Sequence, residues 1–300
     1  MAPHLDASTV KPLASWRKVM QALVTGHGLP EAQIDDTLLR RGPDALLSRS
    51  ALIDGLGSLV KTATVFPGNA SYGRPTVNGS VSLFADDTGE LDATLDFHIL
   101  TKWKTAADSL LAASRLAPPK VGEILIVGSG NMAASMIEAY RSVWPDARFN
   151  IWSRNPTAAV ELADLSNATA AADLQHAVWS ADIVSTSTMA TEPLILGSWL
   201  RPGQHLDLIG GFRPDMREAD DECLARSRVF VDSRRTAAHV GDIGDPLKSG
   251  ALPHVEADFR DLATGGFCRV DPDEITVFKN AGGAHLDLMV ARHLSDLASA

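Results

Sequence analysis

The 300-residue sequence predicts an α/β protein, a doubly wound parallel sheet joined to a smaller α+β domain. Three observations carry that expectation. An apolar run too short for a helix, Ile124 to Val127, leads directly into a glycine turn and then into a helical repeat. From there to Phe278, apolar strands alternate with helix-length segments, the pattern of a parallel sheet. Ahead of Pro118-Pro119 the texture differs, being helical in pattern over residues 1–60 and strand-like from Leu59.

In the first region, Trp16, Val19, Met20 and Leu23 form an apolar stripe at helical spacing. Residues 26–30 break it, and Ile34, Leu38 and Leu39 begin another segment of the same type. The run LVKTATVF then reads as a strand, followed by a turn at Pro67-Gly68-Asn69. VSLF and ELDATLDF follow as two strands joined by the turn Asp86-Asp87-Thr88-Gly89. Lys61 lies within the first of these strands; from its neighbours alone it either snorkels at a sheet edge or points into a site. Residues 99–116 form an Ala-rich amphipathic helix with Lys102 and Lys104 in its first turns. Pro118-Pro119 ends it, so the domains are read as 1–118, with the terminal helix 284–300, and 119–283.

The glycine turn is Gly128-Ser129-Gly130-Asn131-Met132-Ala133, a G-x-G-x-x-A sequence. Its first glycine permits a tight turn, its second lets backbone approach a pyrophosphate, and its small last residue lets the next helix pack close. Met132, Met136, Ile137, Tyr140 and Val143 recur at helical spacing, and Phe149 to Trp152 make a second strand. A strand-turn-helix-strand unit of about 30 residues is the Rossmann nucleotide-binding arrangement. Ser153-Arg154-Asn155 ends the second strand, where NAD-specific sites carry a carboxylate. A guanidinium and a hydroxyl suit a 2′-phosphate, so NADP(H) is preferred and NAD(H) remains possible.

Beyond Arg154 the expected elements are helix 156–164 and strands 182–187, 205–209, 229–232 and 275–278. Ligands of such sheets sit at the carboxyl ends of strands. That places Ser187, Thr188, Gly210, Phe212, Arg213, Lys279 and Asn280 beside the cofactor.

The net charge of −10 argues against nucleic acid or an anionic membrane surface as partner. No apolar run approaches the roughly 18 residues of a membrane span, and the first residues lack the apolar core of a signal peptide, so a cytoplasmic location is expected. The two cysteines, Cys223 and Cys268, have no neighbours at metal-ligand spacing. No metal site and no hydrolase motif is read from the chain.

The segments GSLVKTATVFPGN, GSVSLFADDTGELDATLDFHILTKWKTAA, ILIVGSGNMA, IWSRN, ADIVSTST, EPLILGSWLRPGQHLDLIGGFRPDMREADDE, VFVDSR and EITVFKNAGGAHLDL together resemble the ornithine cyclodeaminase/mu-crystallin family over about residues 55–295. That resemblance implies an N-terminal substrate and dimerisation domain completed by the last helix, with the Rossmann domain inserted, and a homodimer. It implies that Lys61 is the catalytic lysine at the substrate, and that Lys104 stands where relatives carry a carboxylate-binding arginine. A lysine there keeps the charge but loses the bidentate fork. Arg213 and Arg49 are further candidates for the substrate carboxylate. Where cyclodeaminases have an acid/base aspartate this chain has Phe212, which transfers no proton. The resemblance therefore implies NAD(P)H-dependent reduction of the C=N bond of a small cyclic imino acid, such as 1-pyrroline-2-carboxylate or 1-piperideine-2-carboxylate. A cyclodeaminase, an iminosuccinate or alanine dehydrogenase-type reductase and a non-catalytic NADPH-binding protein are the alternatives.

Overall fold

In a computed structural model that describes residues 2–300, the chain divides into two compact units. One contains the chain up to Lys104 together with Gly283–Ala300, and the other is Thr105–Gly282. The division lies inside a helix, 14 residues before the boundary at residue 118 read from sequence, because a proline pair ends a helix without having to end a domain.

The first unit opens with β1 (His4–Leu5), α1 (Ala7–Val10) and α2 (Trp16–His27). Strands β2 (Gln33–Arg41), β3 (Asp44–Ile53), β4 (Gly57–Val65), β5 (Val77–Phe84) and β6 (Leu91–Asp96) follow, and α3 (Phe97–Leu116) leaves it. The stripe expected on α2 is present, with Trp16, Val19 and Leu23 buried. The second helical segment is not. Residues 33–53 are the hairpin β2–β3, and the reading failed because Ile34 and Leu38, four apart, share a face in a strand as well as in a helix. The turn is Gly42-Pro43, with Gly42 at φ +56° in the first central position of a two-residue loop.

The sheet runs β1-β6-β5-β4-β3-β2 and is antiparallel except where β1 meets β6. On β4, Leu59, Lys61 and Ala63 alternate onto the buried face, alongside Val81 and Leu83 of β5. Lys61 therefore sits on an inner strand, and the edge alternative is excluded. Register pairs it with Arg49 of β3, which places both side chains on one face. Helix α3 starts at Phe97 rather than Ile99, where the Asp96 carboxylate accepts from the Ile99 N–H at 2.8 Å.

The second unit contains β7 (Glu123–Val127), α4 (Asn131–Arg141), β8 (Arg148–Trp152), α5 (Pro156–Ser166), β9 (Thr169–Ala170), α6 (Leu174–Ser180), β10 (Ile183–Thr186) and β11 (His205–Leu208). After these come α7 (Asp221–Ala225), β12 (Arg228–Val231), α8 (Arg234–Ala237), α9 (Gly241–Ser249) and β13 (Thr276–Lys279). The sheet is parallel throughout, in the order β12-β13-β11-β10-β7-β8-β9. From β7 the chain winds outward through β8 and β9, then returns to pair β10 with the other side of β7. The switch point of this doubly wound sheet is thus between β7 and β10. Ile124 to Val127 are wholly buried, as an inner parallel strand requires. The strands read from sequence are all present to within one or two residues. The short β9 and α6 to α9 had no counterpart in that reading, since segments this brief show no usable period.

The last helix, α10 (Ala284–Ser299), belongs to the first unit and packs on α2, β3 and β4. A Cβ at Gly26 of α2 would stand 2.4 Å from Met289 Cγ, so the glycine lets the two helices approach closely. Among the described residues no helix is long and apolar enough to cross a membrane, and no three His, Cys, Asp or Glu side chains are grouped to hold a metal ion.

Candidate active site

In the first unit, sequence positions far apart bring a buried charged cluster together. Lys61, 8% exposed, donates from Nζ to Asp287 Oδ1 at 2.8 Å and to Thr101 Oγ1 at 3.0 Å. Its Nζ also lies 4.9 Å from the centre of the Phe97 ring, within range of a cation–π contact. Arg49 donates to Asp36 directly across the β2–β3 ladder, at 2.8 to 3.2 Å. Lys104 is buried, and its charge and that of Arg49 act on both Lys61 and Asp287.

These charges oppose burial and one another. Burial pulls the Lys61 ammonium down from the usual lysine range, with Lys104 and Arg49 adding to it, and Asp287 resists. Burial would push the Asp287 carboxyl up, but Lys61, Lys104 and Arg49 bring it below the usual carboxylate range. Three cations against Asp287 and the rim residue Asp36 leave an excess of positive charge, which suits an anionic ligand such as a carboxylate. Lys61, Lys104 and Arg49, three of the four substrate and catalytic candidates, thus share one cluster. Asp287 and Thr101 were missed by sequence reasoning. Both stand inside segments that carry the family resemblance, Thr101 in LTKWKTAA and Asp287 in EITVFKNAGGAHLDL, but only the fold brings them to Lys61.

The second unit carries the glycine turn at the carboxyl end of β7. Gly128 has φ +132°, and a Cβ there would stand 2.9 Å from both the carbonyl oxygen and Oγ of Ser187. Any side chain would strain the turn and collide with the loop after β10. Gly130 caps α4 without a side-chain hydrogen bond, and open space surrounds it. The first-turn N–H groups of Asn131, Met132 and Ala133 have no partner inside the helix, which makes its start suitable for an anion. Ser187 Oγ is buried without a hydrogen-bond partner among the described residues, a second polar group left for a ligand beside this turn. The small, donor-rich cradle fits the pyrophosphate of a dinucleotide.

Ser129 donates to Ser153 Oγ at 3.0 Å, tying the glycine turn to the end of β8. Asn155 spends its side chain on capping α5, accepting from the Ala158 N–H. Arg154 is exposed, with no ion-pair partner among the described residues.

Below the neighbouring loops lies a fully buried carboxylate, Glu218, also missed by sequence reasoning. Its Oε1 accepts from Thr188 N–H and Oγ1, and its Oε2 from Thr186 Oγ1 and Gly210 N–H, all at 2.6 to 2.7 Å. Burial, with the charge of Asp242 beside it, pushes this carboxyl above its usual range, while Lys279 and the Thr188 and Thr186 hydroxyls draw it back. Glu218 N–H donates to Asp242 Oδ1 at 2.8 Å, and Asp242 Oδ2 accepts from Lys279 Nζ at 3.0 Å.

Lys279 and Asn280 were expected at the cofactor, but the structure gives their side chains other work. The Lys279 ammonium is wholly buried against Asp242, under Gly211, whose Cβ would stand 2.2 Å from Asp242 Oδ2. Asn280 Nδ2 donates to Thr105 O and Ser109 Oγ of α3. Phe212 is 55% exposed, and Arg213 lies over its ring while pairing with Asp215 at 2.9 Å.

With this geometry established, residues 53–300 match the model of the ornithine cyclodeaminase/mu-crystallin family. The chain belongs to the ornithine cyclodeaminase/mu-crystallin family. Among its members, the Delta(1)-pyrroline-2-carboxylate reductase of Paracoccus denitrificans is 50% identical over 294 residues, covering 94% of this chain and 92% of that one. The ketimine reductase mu-crystallin of Rattus norvegicus is 34% identical, covering 79% and 74%. Of solved structures, the Thermococcus litoralis Delta(1)-pyrroline-2-carboxylate reductase in complex with NADH and L-proline superposes with a TM-score of 0.89 at 25% identity, over 99% of this chain and 97% of that one. The family match begins after β3's Arg49, so that member of the cluster lies outside it.

Proposed function

We propose that this protein is a nicotinamide-dependent oxidoreductase that reduces the C=N bond of a small imino acid, 1-pyrroline-2-carboxylate or 1-piperideine-2-carboxylate, to the amino acid. The observation that carries the reading is the cation-rich cluster of buried Lys61 and Lys104 with half-buried Arg49, in a chain half identical to a pyrroline-2-carboxylate reductase. A planar imino acid offers it a carboxylate on the carbon that must be reduced. Bound at the glycine turn, the nicotinamide cofactor supplies the hydride.

The chain's own residues supply the rest. Lys61 and Lys104 hold the carboxylate and so fix the orientation of the imine carbon, with Arg49 at the edge of the cluster. The cost of burying these cations is met in the folded protein, before substrate arrives, so little reorganisation is needed during reaction. The imine nitrogen must carry a proton when its carbon accepts hydride. Phe212 has no titratable group, which supports reduction over deaminating cyclisation.

The finer points of the reading are NADP(H) in preference to NAD(H), supported by exposed Arg154 beside Ser153, a homodimer, and a cytoplasmic location. The solved relative named above holds NADH, so the 2′-phosphate preference rests on Arg154 alone. A panel of cyclic and acyclic imino acids with NADPH and NADH, followed at the nicotinamide absorbance, tests the activity. Cofactor oxidation with a cyclic imino acid is expected; no oxidation with any member of the panel, or release of ammonia from ornithine, would overturn it.

A further inference from the structure

Asp287 stands out because, among the described residues, its carboxylate is hydrogen-bonded to Lys61 alone. It lies in the first turn of α10 and is 1% exposed, where the helix dipole favours an anion. Lys61 reaches it across 226 residues of sequence. The ammonium has three N–H groups. One goes to Asp287 and one to Thr101. Because the Thr101 hydroxyl donates its own proton to Phe97 O at 2.7 Å, its oxygen is oriented to accept from Lys61. The third N–H has no acceptor among the described residues.

The charges around this lysine are set by every element packed on it. Lys104 comes from α3, Arg49 from β3 with Asp36 of β2 held to it, and β5 contributes only apolar Val81 in register. Among the described residues, Asp287 is thus the one carboxylate in contact with an ammonium that burial and two cations act to deprotonate.

We propose that Asp287 is a positioning residue for the imino-acid reduction: it fixes the Lys61 side chain and keeps it an ammonium, so that the remaining N–H is offered as a charged donor to the imino acid. This rests on the reading given under Proposed function. Thr101 sets the second direction of the ammonium, and Phe97 closes one side of it. With two of three N–H groups fixed by protein, the third has a defined direction.

Asp287→Asn keeps the shape and removes the charge. Lys61 should then lose its proton at a lower pH, and the alkaline limb of kcat/KM against pH should move down with it. The expected loss in kcat/KM is on the order of a hundredfold at about pH 8, narrowing by roughly tenfold toward about pH 6. Asp287→Glu, which retains the charge, should keep the limb near the parental position even if its rate falls. A second readout needs no activity: in protein labelled with ¹³C at lysine Cε, the resonance absent from Lys61→Arg should titrate at lower pH in Asp287→Asn than in the parent. If the asparagine variant fails to fold, Asp287→Ser serves for the same measurement. An unshifted limb together with an unshifted Lys61 titration would overturn the proposal. If the parent reduces no imino acid, the functional reading fails, while the resonance titration still decides whether Asp287 holds the ammonium.

Discussion

Lys61 and Lys279 are both buried on strands, and each meets an aspartate in the first turn of a helix, at 2.8 Å and 3.0 Å respectively. Their surroundings have opposite balances of charge. Around Lys61 the charges of Lys104 and Arg49 join its own against Asp287 and Asp36, and one N–H has no acceptor among the described residues. Around Lys279 there are two carboxylates, Asp242 and Glu218, for one ammonium, and Glu218 consumes donors from two loops. A cation excess with a spare donor is built to receive an anion. A carboxylate excess would repel one, so the second cluster serves to hold Thr188 and Gly210 in place. A buried lysine alone does not mark a functional site; the sign left over around it does.

The strongest way to break this comparison is to remove each ammonium and measure stability and turnover separately. Lys279→Ala leaves Asp242 and Glu218 uncompensated in a wholly buried place, and should cost about 3–5 kcal/mol in chemical denaturation. A stable Lys279→Ala protein would show that the cluster does not support the loops. Lys61→Ala should instead lose on the order of 2–4 kcal/mol of transition-state stabilisation in kcat/KM, since Lys104 and Arg49 remain to compensate Asp287. Parental turnover by the folded variant would remove Lys61 from the mechanism.

Another buried carboxylate sharpens the point, because Asp207 has no cation in contact among the described residues. It accepts from Tyr140, Ser185 and Ser109 at 2.6 to 2.9 Å, and burial pushes its carboxyl up to about 6 from 3.8. The folded protein therefore holds this proton more tightly than the unfolded chain. Its stabilising contribution is present at low pH and is lost as pH rises through about 6. Relative to Asp207→Asn, the parent should lose about 2–3 kcal/mol between about pH 4 and pH 7. Parallel stability curves for the two proteins would contradict this environment for Asp207. The smallest effect is expected at the surface, where Arg154 has no partner to lose. Arg154→Asp should weaken NADPH roughly tenfold or more with little change for NADH, read from cofactor fluorescence. Equal losses would show that Arg154 does not contact the 2′-phosphate.

Much of this was legible in the chain, and the reasons differ from place to place. G-x-G-x-x-A after an apolar run specifies its own turn, because only glycine tolerates φ +132° against the Ser187 loop. The parallel strands were readable because buried strands are continuous apolar runs. The β2–β3 hairpin was misread although Gly42-Pro43 marks its turn, since a four-residue apolar spacing fits both helix and strand.

By itself, then, the sequence determined the doubly wound sheet and its glycine turn and marked Lys61 as a candidate, because each depends on residues adjacent in the chain or on a long family resemblance. Only the tertiary structure decided which charges meet. Asp287 reaches Lys61 from the other end of the chain, and Glu218 and Asp242 turn Lys279 from an expected ligand contact into a support. Electrostatic partnership depends on distance and burial in space, neither of which is encoded at any single stretch of sequence.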